Sequence, residues 1–346
     1  MRKVCILILL IFSVCIPVKA MEFTPPNAPD SAQELMPETQ STFTEDLWYI
    51  LKNAISSLRP DISQAASVCA GLIAISLLVS LVKSYASVSI QATELAGTLC
   101  VGMLLLKPTN AFIQLGIKTV TELCEYGKLL LPVLTSAMAA EGGLTTATGL
   151  YTGTILLNTF LSICISKLLI PLVYIFLVLS VANSAVSENV LKNLKDFLKW
   201  LMTWILKITL YLFTGFLSVT GVVSGTVDAA SVKATKIALS GVVPVVGGII
   251  SDASEAILVS AGVLKNAAGI YGILAMVAIC VTPFLRIGIQ YILLKLSGAV
   301  CGVFAEKSTV KLIEDFTTVM GFLLAMTGSV CLLHLVSTVC FMRGIG

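Results

Sequence analysis

Long apolar runs dominate the chain. Seven of them, at about 63–82, 86–106, 149–186, 200–220, 267–285, 287–305 and 316–341, are long enough to cross a bilayer, which takes roughly 20 residues of α-helix. The run 149–186 stands apart. As a single helix it would measure about 57 Å at ~1.5 Å per residue, yet Lys167 and Pro171 leave little room for a turn between two helices. Two shorter apolar pieces, 129–140 and 238–250, are too short to span and read as re-entrant or interfacial segments. The pattern predicts an all-α, polytopic membrane protein with about six to eight transmembrane helices and broken or re-entrant segments.

Ahead of the first span the periodicity changes. Arg2 and Lys3 precede an apolar run from Val4 to Pro17, followed by Val18-Lys19-Ala20. Basic residues, a short apolar stretch and small residues at the last and third-last positions are what signal peptidase accepts. Residues 1–20 are therefore expected to be a signal peptide, with an uncleaved anchor as the alternative. Residues 21–61 follow as an acidic, proline-rich extracytoplasmic segment. Pro25, Pro26, Pro29 and Pro37 oppose regular helix there, so an extended course is expected. From Glu45 to Leu58 the positions Leu47, Ile50, Leu51, Ala54, Ile55 and Leu58 fall on one helical face, as in a helix lying on a membrane surface. Residues 62–346 form the multi-pass domain.

Composition excludes most alternatives. The 346 residues are 57% hydrophobic and only 12% charged, with a mean hydropathy of +0.99. Ordinary soluble domains carry about 25% charged residues. A soluble enzyme, a disordered chain and a nucleic-acid binder all fit poorly. Removal of residues 1–20 takes away Arg2, Lys3 and Lys19 and leaves nineteen basic and nineteen acidic residues. The sign of the Lys and Arg bias across the loops depends on whether 86–106 crosses, so the topology stays open.

Two stretches resemble each other at an offset of 112 residues. Pro132 corresponds to Pro244 and Pro171 to Pro283; further on, Leu194-Lys195-Asp196-Phe197 resembles Ile313-Glu314-Asp315-Phe316. An internal duplication explains this, and so does chance matching in a chain of such restricted composition. Transporter-like folds built from repeats place their sites at broken helices. The segment around Pro244 is the leading candidate, with Lys236, Gly247, Gly248, Asp252, Lys265 and Asn266 as its polar or flexible positions. Pro244 removes a backbone donor and the glycines loosen the chain.

Chemistry is sparse. His334 is the only histidine and sits inside an apolar run, where a packing role fits better than a catalytic or metal-binding one. Eight cysteines follow the leader without any C-x-x-C spacing, so neither a zinc site nor a disulfide framework is indicated. There is no phosphate-binding loop, nucleophile elbow or H-E-x-x-H motif. No catalytic residue, metal ligand or cofactor is expected. Among the ionisable residues inside predicted spans, Glu94, Lys207 and Lys295 are the leading candidates. Such groups usually face a bundle interior or an aqueous cavity, and a Glu94–Lys207 or Glu94–Lys295 pair is one arrangement; snorkelling to the membrane surface is the other. Residues 187–208 place Leu191, Leu194, Leu198, Leu201, Ile205 and Ile208 on one stripe, away from Lys192, Lys195 and Lys199. That is a basic amphipathic helix running into a span. Among the small-residue spacings, Gly298 and Gly302 lie best for close helix approach.

The central segment also carries a family resemblance. Ser218-Val219-Thr220-Gly221, then Asp228 to Lys236, then Val243-Pro244-Val245-Val246-Gly247-Gly248 with Ser251-Asp252-Ala253 and Lys265-Asn266, resembles stage III sporulation protein AE of endospore-forming bacteria. The resemblance implies a non-enzymatic, multi-pass component of the outer forespore membrane, on the mother-cell side. It implies partners as well: the other stage III A sporulation proteins, including a secretion-type ATPase, a forespore-side channel partner and membrane lipid, with no nucleic acid. Together these would form a channel supporting late forespore development. A stand-alone permease for a small solute or ion is the alternative, and a membrane enzyme is disfavoured.

Overall fold

A computed structural model of the chain describes residues 25–37, 42–85, 90–141, 143–185, 191–209, 211–212, 215 and 247–343. The expected leader, Lys236 and Pro244 lie outside the described residues. Among the described residues all regular structure is helical. In chain order the elements are α1 (Asp30–Gln33), α2 (Phe43–Ser56), α3 (Arg59–Tyr85), α4 (Ile90–Ala140), α5 (Leu144–Ile163), a π-helical segment (Cys164–Leu169), α6 (Ile170–Ala185), α7 (191–209), α8 (Gly247–Cys301) and α9 (Lys307–Arg343). Five helical stretches in the described residues are long and apolar enough to cross a membrane: Arg59–Tyr85, Ala92–Ala140, Leu144–Ser184, Asn266–Cys301 and Lys307–Met342. The chain is an all-α, polytopic membrane protein.

Several predicted breaks are continuous helix. The piece 129–140 is the last three turns of α4 and not a re-entrant segment; α4 runs through both Pro108 and Pro132. Likewise 267–285 and 287–305 are two parts of α8, which passes through Pro283. Gly247 and Gly248 open α8, and its helical backbone continues through Asp252 and Lys265 to Asn266, so from Gly247 onward the expected broken helix is regular. Membrane helices tolerate proline because neighbouring helices and local changes of winding satisfy the freed backbone groups. The run 149–186 shows how. Lys167 and Pro171 mark no turn; the helix rewinds into the π-segment Cys164–Leu169 just before Pro171. The wider turn accommodates a residue that has no N–H to donate and whose ring would crowd the carbonyl four positions back. At 51 residues and ~1.5 Å per residue, α4 is about 77 Å long, so it projects beyond a ~30 Å hydrocarbon layer or crosses it obliquely.

The core is the antiparallel hairpin of α8 and α9, with α4 laid along both. Register is set by aromatic rings over glycines. A Cβ on Gly321 would meet the Tyr291 ring at 3.5 Å, and one on Gly328 would meet Phe284 at 3.2 Å. Gly298 is less crowded, with Ile313 3.5 Å from where a Cβ would stand, and Gly302 lies in the connection after α8. The Gly298/Gly302 spacing is therefore not the site of closest helix approach. That distinction belongs to Gly97 against Val79, Gly127 against His334, Gly269 against Met342, and Gly272 against Leu130. Helix α3 is peripheral. It buries the narrow stripe Ala65, Cys69, Leu72 and Ser76, while Leu77, Leu78, Leu81 and Val82 stay exposed on its outer side. Hydroxyls link the spans, Thr98 with Thr309 at 3.2 Å and Thr154 with Ser337 at 3.2 Å, bonds worth on average ~0.6 kcal/mol in this setting.

The segment before the spans is docked, which its proline content did not predict. Ala28 and Ala32 are buried. Ala28 N–H donates to the Tyr271 hydroxyl at 3.4 Å, the Tyr126 hydroxyl donates to the carbonyl of Pro26 at 3.4 Å, and Ser31 donates to Glu122 at 2.9 Å. Pro29 ends the extended stretch and a single turn, α1, follows. Helix α2 then buries Ile50 and Ala54, with Leu58 just beyond it, and packs against α8. Trp48, Tyr49 and Ile55 remain exposed. An aromatic flank of this kind suits the headgroup layer. Leu51 is only partly covered and Ile55 is open, so the buried face is narrower than the periodicity suggests.

The start of α2 is pH-sensitive. Thr42 N–H and Oγ1 both donate to the Glu45 carboxylate, at 3.1 and 2.8 Å, which ties the residue before α2 to its first turn. The backbone bond foremost, then the hydroxyl bond, hold the Glu45 carboxyl below its ordinary value. A depressed carboxyl stabilises the fold above its unfolded-state value, and that contribution is lost as pH falls through the folded-state value. Carbon chemical shifts across Phe43–Leu47 should therefore move toward coil as pH falls below the ordinary glutamate value of about 4.3. Glu45→Gln should show reduced helicity throughout and lose the pH dependence. Equal titration in both proteins would refute this assignment.

Candidate functional site

Charged side chains of the bundle gather in four places. At the end of the α8–α9 hairpin, the Lys83 ammonium bridges the carboxylates of Glu94 and Glu306. Lys83 closes α3, Glu94 opens α4 and Glu306 precedes α9, so one cation ties three helices together. Thr98 donates to the Glu94 carbonyl at 2.9 Å and lies 3.2 Å from Thr309. This disposes of the expected pairing of Glu94 with Lys207 or Lys295. Glu94 is engaged by Lys83, whose position in the last turn of α3 put it outside the predicted apolar run.

A second pair, Lys195 with Asp315, joins α7 to α9. The Lys195 side chain is 3% exposed and that of Asp315 13%; the ammonium also lies 5.9 Å from the centre of the Phe176 ring. Burying lysine rotates α7 relative to the predicted stripe. Lys195, Leu198, Met202, Leu206 and Thr209 face inward, while Leu194 and Ile208 are exposed. The pair unites the two four-residue blocks that resemble each other, Lys195 from the first and Asp315 from the second. A third contact, Arg286 Nε to Asp61 at 3.0 Å, lacks hydrogen-bond alignment and fixes the start of α3 to the middle of α8.

The fourth place is a cavity of about 810 Å³ between α7, α8 and α9. Lys207 and Lys295 both line it, together with Lys199 and Glu314. The two lysines singled out inside predicted spans therefore converge, though neither meets Glu94. Leu206, Leu294 and Phe322 supply apolar wall, and Thr203, Thr317 and Thr318 supply hydroxyls. Lys295 lies 5.8 Å from the Tyr291 ring centre, and none of the three lysines has a carboxylate within 4.0 Å among the described residues. Lys199 and Glu314 were not legible as members. Their link to Lys207 and Lys295 arises only when α7 packs into the hairpin.

Beyond these, His334 is buried and its ring lies against Gly127. Beside it Asn158 donates to the Cys124 carbonyl at 3.3 Å, and its own Oδ1 is without a partner. Asn266 is exposed at the point where the apolar part of α8 begins. Of Gly247, Gly248, Asp252 and Lys265 the structure describes only helical backbone. Among the described residues no group of three or more His, Cys, Asp or Glu side chains is placed to hold a metal ion.

No solved structure matches the chain. A stretch of 201 residues is 22% identical to stage III sporulation protein AE of Bacillus subtilis (strain 168), covering 57% of this chain and 50% of that protein. The chain thus spans about half the length of the curated relative it matches. The family model for stage III sporulation protein AE matches residues 31–344, from the docked segment before α2 past the end of α9, and the chain belongs to the stage III sporulation protein AE family.

Proposed function

We propose that the protein is a non-enzymatic membrane component of the sporulation channel or secretion complex that links mother cell and forespore. It would sit in the outer forespore membrane and serve late forespore development. The observation that carries this reading is the family match over residues 31–344. The absence of a nucleotide-binding motif from the sequence fits an energy source on a separate chain, a secretion-type ATPase among the other stage III A proteins, with a forespore-side partner completing the channel. An in-frame deletion in the source organism tests it. Vegetative growth should be normal, forespores should complete engulfment and then stall, and heat-resistant spores should be lost. A normal spore yield would overturn the reading.

One observation favours a second reading, a stand-alone permease: Lys199, Lys207 and Lys295 converge on one open groove between α7, α8 and α9. Reconstituted vesicles separate the two. A permease moves solute without partners and loses transport when Glu94, Lys207 and Lys295 are neutralised; a channel component is inert alone.

A further inference from the structure

We propose that the groove between α7, α8 and α9 is a binding site for an anionic phospholipid. Three lysines and one glutamate line it, a formal net charge of two positive units. All four side chains belong to exposed residues, so the groove opens outward from the bundle. Among the described residues none of the three ammonium groups has a carboxylate within 4.0 Å, which leaves the groove in want of a counter-charge. A phosphodiester supplies one, and basic pockets between transmembrane helices bind acidic headgroups for this reason.

The rest of the groove suits a lipid better than a free ion. Its volume of about 810 Å³ far exceeds that of one phosphate, and Leu206, Leu294 and Phe322 offer an acyl chain an apolar track. Lys199 and Lys207 stand eight residues apart on α7, about 12 Å along the axis, with Thr203 between them and Lys295 opposite on α8. Flexible four-carbon stems let the ammonium groups reach toward one headgroup. The outer side of α7 marks the depth. Phe197, Trp200 and Trp204 are exposed and in sequential ring contact, with centroids 5.9 Å apart in each pair, an aromatic belt of the sort found at headgroup level.

The test is lipid titration of the purified full chain in neutral detergent, read by native mass spectrometry. Phosphatidylglycerol should bind about thirtyfold more tightly than phosphatidylcholine, at roughly fivefold per net positive charge. Lys207→Gln and Lys295→Gln should each lose about fivefold, and the triple variant with Lys199→Gln should lose the preference altogether. Glu314→Gln should gain about fivefold, an outcome that a poorly folded variant does not give. Lys167→Gln, in the π-segment, should behave as wild type. Equal binding of the two lipids, an unaltered triple variant, or the same loss from Lys167→Gln would overturn the proposal. Displacement of phosphatidylglycerol by millimolar inorganic phosphate would overturn it in favour of a simple anion site.

Discussion

Replacing Asp315 with alanine is expected to lower the stability of the bundle by about 3–5 kcal/mol, the range for removing one partner of a buried ion pair. The cause is the lysine left behind. Lys195 is almost wholly buried, its side chain 3% exposed. It sits on the inward stripe of α7, with no second carboxylate within 4.0 Å among the described residues. Its stem cannot withdraw the ammonium to the surface without unseating Leu198 and Met202, both buried beside it. The reverse deletion, Lys195→Met, should cost less. Asp315 is the more exposed partner, at 13%, and methionine keeps the apolar stem packed near Phe176. Combining Lys195→Met with Asp315→Leu should recover most of the loss, since an ion pair and an apolar pair of similar volume are often close in stability. Denaturing-detergent titration of the wild type, the two single variants and the double variant gives the coupling directly; strictly additive losses would refute the pair's role. The Lys118–Glu122 contact is the internal contrast. It spans 3.7 Å with Lys118 69% exposed, and replacing Lys118 should change stability by no more than about 0.5 kcal/mol.

The parts legible in the sequence were those that depend on the solvent phase. Apolar runs longer than a bilayer is thick admit only helix, because the backbone must satisfy itself, so class and polytopic character follow from local composition. Helix boundaries did not. Pro108, Pro132, Pro171 and Pro283 look like breaks by the rules of soluble helices, yet all four lie inside helical stretches, Pro171 by way of a π-turn. Those rules assume that a freed carbonyl has no partner but water, whereas a bundle supplies neighbours. The orientation of α7 was misread for a related reason. Hydropathy places leucine inward and lysine outward, but lipid accepts Leu194 and Ile208 on the outside while Asp315 draws Lys195 in. Lys207 and Lys295 were identifiable as charges within predicted apolar runs. Their convergence with Lys199 and Glu314 was not, because it is set by the packing of α7 against a hairpin distant in the chain. The docked segment at Ala28 and Ala32 was hidden likewise. Proline forbids long helix, but it does not forbid an extended chain from packing, and Tyr126 and Tyr271 satisfy that chain's backbone.

Gly127→Ala is expected to destabilise the contact between α4 and α9 by about 1–3 kcal/mol, the cost of adding a methyl group to a closely packed interface. A Cβ there would fall 2.4 Å from Cε1 and 2.6 Å from Nδ1 of His334, well inside contact distance. The imidazole is buried, with Asn158, Leu161 and Leu333 around the same small cavity, so it has little room to rotate away. Helix α4 would have to lift from α9, and because α4 lies along both helices of the central hairpin, the displacement would reach the core. His334→Ala removes the obstructing ring, leaves an empty space of its own, and should be destabilising alone. The double variant should be more stable than the sum of the two single losses predicts, since the added methyl then occupies part of the vacated space. That non-additivity separates a steric role for His334 from a chemical one. A histidine needed for catalysis or ion transfer stays defective when packing is restored, whereas a packing residue is replaced in both stability and spore formation by the compensating pair.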